Sequence, residues 1–212
     1  MTASAPSTPA LSGLIAILRG IQPSEAVATA HALYDAGFRV IEVPMNSPEP
    51  LDSIARIRQA MPADCMVGAG TVLSPEVVEQ VKAAGGDIIV MPHADTAVIR
   101  HAKQLGMACV PGVATVTEAF AALAAGADAL KMFPAEQLGT AVMKAWRSVL
   151  PKGVALFPVG GVTPDNMGPF VQAGAAGFGL GSALYRPGQS VADTAAVAVR
   201  FQANWKALQS AA

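Results

Sequence analysis

Short, strongly apolar runs alternate with longer segments of helical spacing along almost the whole chain. The runs fall at 14–18, 40–43, 66–69, 88–91, 108–110, 129–133, 154–159 and 177–180. Between them, Leu51, Ile54, Ile57 and Met61, or Val142, Met143, Trp146 and Leu150, recur at the three- and four-residue steps of one helix face. Helix starts are signalled by Pro23-Ser24-Glu25, Ser74-Pro75-Glu76, Thr115-Val116-Thr117-Glu118 and Thr163-Pro164-Asp165, each with a hydroxyl available as a cap. Gly37, Gly85, Gly106, Gly126 and Gly174 precede the next apolar run, where a glycine closes a helix at little cost.

Eight strand candidates, each followed by a helix candidate, predict an α/β protein folded as a single (β/α)8 (TIM) barrel. An open doubly wound sheet is the alternative. It is disfavoured because Leu18-Arg19-Gly20-Ile21-Gln22-Pro23, after the first run, carries no Gly-x-Gly-x-x-Gly fingerprint. The chain is shorter than the ~250 residues typical of such barrels, so its loops must be compact. Residues 1–13, dominated by Ala, Ser, Thr and Pro, read as a disordered tail, and 14–212 as the barrel domain.

Composition changes this picture little. The chain has 212 residues, 52% of them hydrophobic, and a mean hydropathy of +0.43, yet no run of eighteen apolar residues of the kind that spans a membrane. A formal net charge of −1 with scattered basic residues gives no footprint for nucleic acid or an anionic membrane. Cys65 and Cys109 both sit in apolar surroundings, which favours buried free thiols in a reducing compartment over a disulfide. The first residues lack the basic start and apolar core of a signal peptide. A cytoplasmic protein is the expectation.

Two charges interrupt otherwise buried strands. Lys131 is the only charge in Ala129-Leu130-Lys131-Met132-Phe133, and Glu42 the only one in Val40-Ile41-Glu42-Val43-Pro44. Burial favours the neutral amine of a lysine, which is then free to attack a ketone as a Schiff-base nucleophile. It also raises a carboxyl pKa toward neutrality, where the group can shuttle protons. The alternative is structural: a lysine reaching solvent, or an ion pair of Glu42 for which Lys131 itself is a candidate partner.

In a parallel barrel, chemistry collects at the carboxyl ends of the strands. There the chain places Arg19, Glu42, Thr71, His93, Lys131, Gly160-Gly161 and Gly181-Ser182. The two glycine-bearing loops after the seventh and eighth strand candidates fit a phosphate held by backbone N–H groups, with a hydroxyl donor from Ser182; two tight turns are the plainer reading. Arg19 offers a forked donor for phosphate or carboxylate. Gly68-Ala69-Gly70-Thr71 permits close backbone approach and sets the Thr71 hydroxyl at a strand end. His31, His93 and His101 have no metal-ligand spacing, and only His93 falls at a strand end. No Gly-x-Ser-x-Gly elbow is present, and neither thiol has an activating partner in view.

Six strings, in this order, are similar to those of the class I aldolases that cleave 2-keto-3-deoxy-6-phospho sugar acids. They are Ile15-Ala16-Ile17-Leu18-Arg19-Gly20, Val40-Ile41-Glu42-Val43-Pro44, Val67-Gly68-Ala69-Gly70-Thr71-Val72-Leu73, Pro111-Gly112-Val113-Ala114-Thr115, Leu130-Lys131-Met132-Phe133-Pro134-Ala135 and Pro158-Val159-Gly160-Gly161-Val162. The resemblance implies Lys131 as the Schiff-base lysine, Glu42 as the proton shuttle, Gly160, Gly161, Gly181 and Ser182 at the phosphate, and Arg19 and Thr71 as substrate contacts. It implies no cofactor and no metal, a phosphorylated keto-deoxy sugar acid as substrate, pyruvate and glyceraldehyde 3-phosphate as products, and a homotrimer. It assigns no role to His93.

Within the family, the chain resembles the branch acting on phosphogalactonate-type acids more than the branch acting on the C4 epimer, the phosphogluconate type. Arg19 stands where the other branch usually carries lysines, Asn46-Ser47-Pro48 where it usually places an arginine, and Val159, a candidate specificity residue, where it usually has threonine. The stretch from Gly181-Ser182-Ala183 to Gly188-Gln189-Ser190 points the same way. A phosphosugar isomerase or epimerase using Glu42 as base, or a non-catalytic phosphometabolite sensor, would keep the phosphate loops and leave Lys131 a plain charge.

Overall fold

The structure, a computed structural model, describes residues 11–210. In chain order its elements are β1 (Gly13–Ile17), α1 (Pro23–Ala36), β2 (Val40–Pro44), α2 (Pro50–Ala60), β3 (Met66–Gly70), α3 (Pro75–Ala83), β4 (Ile88–Val90), α4 (Thr96–Gln104) and β5 (Ala108–Val110). There follow β6 (Gly112–Val113), α5 (Val116–Ala124), β7 (Ala129–Met132), α6 (Ala135–Val149), β8 (Ala155–Pro158), a 3-10 turn (Pro164–Asn166), α7 (Met167–Gln172), β9 (Gly177–Leu180) and α8 (Val191–Ser210). Most of the expected tail lies outside the described residues. Within its last three positions, Leu11 is already buried and Gly13 opens β1.

Each expected strand coincides with an observed one to within a residue or two. The ninth strand arises at Pro111. A proline has no N–H to give to a ladder, so the run splits into β5 and β6 on either side of it, and its carbonyl still accepts from Lys131 N at 2.9 Å. All pairings are parallel: six strands in the order β5-β4-β3-β2-β1-β9, and three in the order β6-β7-β8. Asp128 N donates to Cys109 O (3.0 Å) on one side of the smaller sheet, and Ala176 N to Leu156 O (3.0 Å) on the other, with a Val159–Gly179 bridge beside it. The fold is parallel α/β with a curled sheet.

Two cores follow from the two faces of each strand. Ile41, Val43, Val67, Ile89, Cys109, Leu130, Met132 and Phe178 pack outward against the helices in the larger cluster. Ile15, Val40, Ile88, Val90, Ala108, Val110, Ala129, Ala155 and Phe157 form a separate cluster on the inner face. Stepping two residues along a strand keeps to one face, so Val40 leads to Glu42 and Ala129 to Lys131. Both charges therefore occupy the next inner layer, at the carboxyl ends.

The five glycines expected to end helices all have positive φ, between 70° and 108°. Helix starts are less uniform than the sequence suggests. Thr115 makes the expected reciprocal cap, its hydroxyl accepting from Glu118 N (3.2 Å) while Thr115 N donates to the Glu118 carboxylate (2.9 Å). The hydroxyls of Ser24 and Ser74 do not cap. Gln22 and Ser74 are the capping positions of α1 and α3, neither making a side-chain capping hydrogen bond, and both helices start instead on a proline whose missing N–H needs no partner. Asp95, passed over in the sequence, caps α4 through Ala97 N (2.8 Å). On α8, Phe201 and Trp205 are buried, the Trp205 ring meeting Phe178 edge-on at 5.9 Å. No helix among the described residues is long and apolar enough to cross a membrane.

Candidate active site

A cavity of about 370 Å³ opens at the carboxyl ends of the strands. Lys131, Arg19, Thr71, Val159, Gly160, Gly161, Gly181 and Ser182 line it together, drawn from β1, β3, β7, β8, β9 and the loops that follow them. Glu42, buried on β2, is not part of this lining. His93 is exposed and outside it, His31 is exposed on α1, and His101 on α4 reaches Glu79 at 3.1 Å. Among the described residues, no group of three or more His, Cys, Asp or Glu side chains is arranged to hold a metal ion.

Glu42 is 2% exposed, and its Oε2 has no hydrogen-bond partner. Gly70 makes room for it: a Cβ at that position would sit 1.9 Å from Oε2. Burial pushes the Glu42 carboxyl up to about 7, against the opposing pull of the Lys131 and then the Arg19 charges. Lys131 is 7% exposed. Burial moves its pKa down, the Glu42 charge opposes that shift and the Arg19 guanidinium adds to it. No salt bridge or hydrogen bond joins Glu42 to Lys131, so the structural ion pair is not made. The two groups nevertheless feel each other's charge. The Lys131 Nζ instead lies 4.5 Å from the centre of the Phe133 ring, and both residues line the cavity.

Arg19 bridges two strand ends. One terminal nitrogen donates to Asn46 Oδ1 and the other to Thr71 Oγ1 at 3.4 Å. Thr71 has φ 56°, a left-handed conformation that a β-branched residue rarely adopts. Such a backbone costs ~1–3 kcal/mol and persists where surrounding structure holds it. Here it follows directly on Gly70 beside the Glu42 carboxylate.

At the opposite wall, Gly160 (φ 102°) and Gly161 (φ 67°) turn the chain after β8, with Thr163 N held by Asn166 Oδ1 at 2.9 Å. The amides of Gly161, Ser182 and Ala183 meet no acceptor among the described residues. They are donors suited to an anion. Arg186 also lines the cavity, its Nε donating to Ser182 O at 3.0 Å and its terminal nitrogens without a partner among the described residues. Sequence reasoning gave Arg186 no role. Its one available signal was a basic residue four positions beyond Ser182 in a loop already suspected of binding phosphate.

Cys65 and Cys109 are free and buried, and burial pushes their thiols up to about 11 and about 12. Neither is a nucleophile at neutral pH.

A buried amine, a buried carboxyl and a wall of anion donors at the carboxyl ends of a parallel sheet suit a Schiff-base aldolase acting on a phosphorylated acid. Residues 10–198 match the family model described as KDPG and KHG aldolase, and the chain belongs to that family. It is 52% identical over 188 residues to the 2-dehydro-3-deoxy-6-phosphogalactonate aldolase of Escherichia coli (strain K12), covering 89% of this chain and 92% of that one. A probable 2-dehydro-3-deoxy-6-phosphogalactonate aldolase of Rhizobium meliloti (strain 1021) is 46% identical, with 92% of each chain covered. Among solved structures, one described as native KDPGal superimposes with a TM-score of 0.92 at 47% identity, covering 98% of both chains.

Proposed function

We propose that this chain is a class I aldolase that cleaves 2-dehydro-3-deoxy-6-phosphogalactonate to pyruvate and glyceraldehyde 3-phosphate. The observation that carries the reading is a buried Lys131 amine beside a buried, unpaired Glu42 carboxyl with a raised pKa. The backbone bonds joining the two sheets on both sides support a closed (β/α)8 barrel as the frame.

The neutral amine of Lys131 adds to the C2 ketone, and Glu42 passes protons as the carbinolamine loses water. The resulting iminium is the electron sink. As a carboxylate, Glu42 takes the C4 hydroxyl proton, directly or through a water. The C3–C4 electron pair moves onto the iminium, and glyceraldehyde 3-phosphate departs. Protonation of the enamine at C3 and hydrolysis of the imine then release pyruvate and restore the lysine. A carboxyl with a pKa of about 7 suits both directions of this proton traffic, since neither form dominates at neutral pH.

Thr71 and Arg19 are assigned to the carboxylate end of the substrate. Gly160, Gly161, Gly181, Ser182 and Arg186 are assigned to the phosphate, supported by their common cavity wall. Val159, 7% exposed and lacking a hydroxyl, is assigned to the choice at C4. The same reading takes the enzyme to be a cytoplasmic homotrimer that needs no added cofactor. Unpaired buried thiols support the compartment, and family resemblance alone supports the trimer.

Steady-state pyruvate release from the galactonate-derived acid and its C4 epimer tests the proposal. The galactonate-derived acid is expected to have the higher kcat/KM, with activity lost in Lys131→Ala. The reverse preference overturns the branch, and no pyruvate from either acid overturns the aldolase.

A further inference from the structure

We propose that Asn46 is a positioning residue that aims the Arg19 guanidinium at the substrate carboxylate. The inference rests on the aldolase reading above.

Arg19 sits on the exposed rim, and an arginine there has no packing reason to take one pose. Its guanidinium is nevertheless held at both terminal nitrogens, by Asn46 Oδ1 and by Thr71 Oγ1 (3.4 Å). The Thr71 contact is long, so Asn46 is the stronger of the two anchors. In this pose the Arg19 charge is felt by both Glu42 and Lys131. That fixes the guanidinium at the reacting end of the cavity. The substrate's C1 carboxylate is one bond from C2, the atom that Lys131 attacks, so it must lie at that end too.

The platform beneath Asn46 is firm. Ser47 is buried; its Oγ accepts from Gly20 N at 2.9 Å, and its own N–H donates to Pro44 O at 2.9 Å. Met45 N donates to Gly70 O at 2.8 Å. The loop after β2 is thus tied to the residue that follows Arg19 and to the residue that precedes Thr71. Asn46 itself is exposed and makes no other hydrogen bond among the described residues, which leaves holding Arg19 as what its amide does here. Its removal should spare the fold.

The test uses pyruvate alone as probe, because pyruvate carries the carboxylate and ketone without the phosphate. Imine formation is trapped with borohydride across a pyruvate series in wild type, Asn46→Ala, Asn46→Gln, Arg19→Ala and the Asn46→Ala/Arg19→Ala double variant. Asn46→Ala is expected to raise the half-saturating pyruvate concentration by about tenfold, the scale of one charge-assisted hydrogen bond, with a smaller change in the limiting rate. Asn46→Gln, which keeps a neutral acceptor oxygen for Arg19, should restore most of it. In the Arg19→Ala background, Asn46→Ala should have no further effect, since Asn46 acts only through Arg19. An unchanged half-saturation in Asn46→Ala overturns the proposal. So does a penalty that persists undiminished without Arg19. If wild type traps no pyruvate at all, the aldolase reading fails first, and the two failures are told apart.

Discussion

Replacing Gly70 with alanine tests the placement of Glu42 without touching the carboxylate itself. The new methyl carbon would lie 1.9 Å from Oε2 and 2.4 Å from Oε1 and Cδ, about 1.5 Å short of the 3.4 Å at which ordinary contact begins. Glu42 is 2% exposed, so no open space receives the displaced group. The carboxylate must move by an ångström or more, or β2 and β3 must part. Parting would strain their ladder, in which Glu42 pairs with Gly68 and Pro44 with Gly70. Overpacking of this kind costs ~1–3 kcal/mol of stability. A 1 Å misplacement of a catalytic group costs ~100-fold, and general acid–base catalysis as a whole contributes ~10²–10⁴-fold. Gly70→Ala is therefore expected to fold, to bind substrate with a similar KM, and to lose roughly 10²–10³ in kcat. Stopped-flow pyruvate release gives kcat, and thermal unfolding confirms the fold. A folded Gly70→Ala enzyme within threefold of wild-type kcat would refute the role given to Glu42's position.

Glu42→Gln carries a signature in pH. The folded pKa of about 7 lies above the ordinary 4.5, so between these values the native chain holds more protons than the unfolded one, and stability falls as pH rises through that window. The slope amounts to about 3 kcal/mol in all and should vanish in Glu42→Gln, as read by urea unfolding across the window; parallel profiles for the two proteins would contradict it. Wild-type kcat/KM should rise as pH passes upward through about 7, as the base form of Glu42 appears. Arg186→Ala should raise KM for the phosphorylated acid by about tenfold while leaving pyruvate trapping unchanged; a matching loss in both would move Arg186 away from the phosphate. Val159→Thr should shift the ratio of kcat/KM values toward the gluconate-derived epimer by up to about tenfold, measured by direct competition.

The strands were readable because burial on both faces of a parallel sheet leaves a nearly unbroken apolar run, and a charge inside such a run stands out. Lys131 and Glu42 were visible for that reason. Inner and outer faces look alike in such a run, however. That Val40 and Ala129 lead to Glu42 and Lys131 on one inner layer became clear only from the two separate cores. The missing N–H of Pro111 ends the run at Val110, but nothing in the apolar pattern tells that the chain rejoins a sheet at Gly112–Val113. Ser24 and Ser74 offer capping hydroxyls that a neighbouring proline makes unnecessary, while Asp95 caps α4 with no proline or acidic residue in the turn that follows to draw attention.

The cavity lining brings together residues chosen by their place at strand ends, because in a parallel fold those ends converge whatever the intervening sequence. His93 satisfied the same rule and still lies outside, since a strand-end position does not say which way a side chain turns. The left-handed backbone of Thr71, the clamp of Asn46 on Arg19, and the reach of Arg186 into the cavity depend on loop geometry that no periodicity records.

The central claim is that the Lys131 amine forms an imine with the ketone. Its most direct test is intact-protein and peptide mass spectrometry after treatment with pyruvate and borohydride. One pyruvate-derived adduct per chain, on the peptide containing Lys131 and lost in Lys131→Ala, is the predicted result. A folded, active enzyme with no adduct, or with its adduct on another lysine, would contradict it.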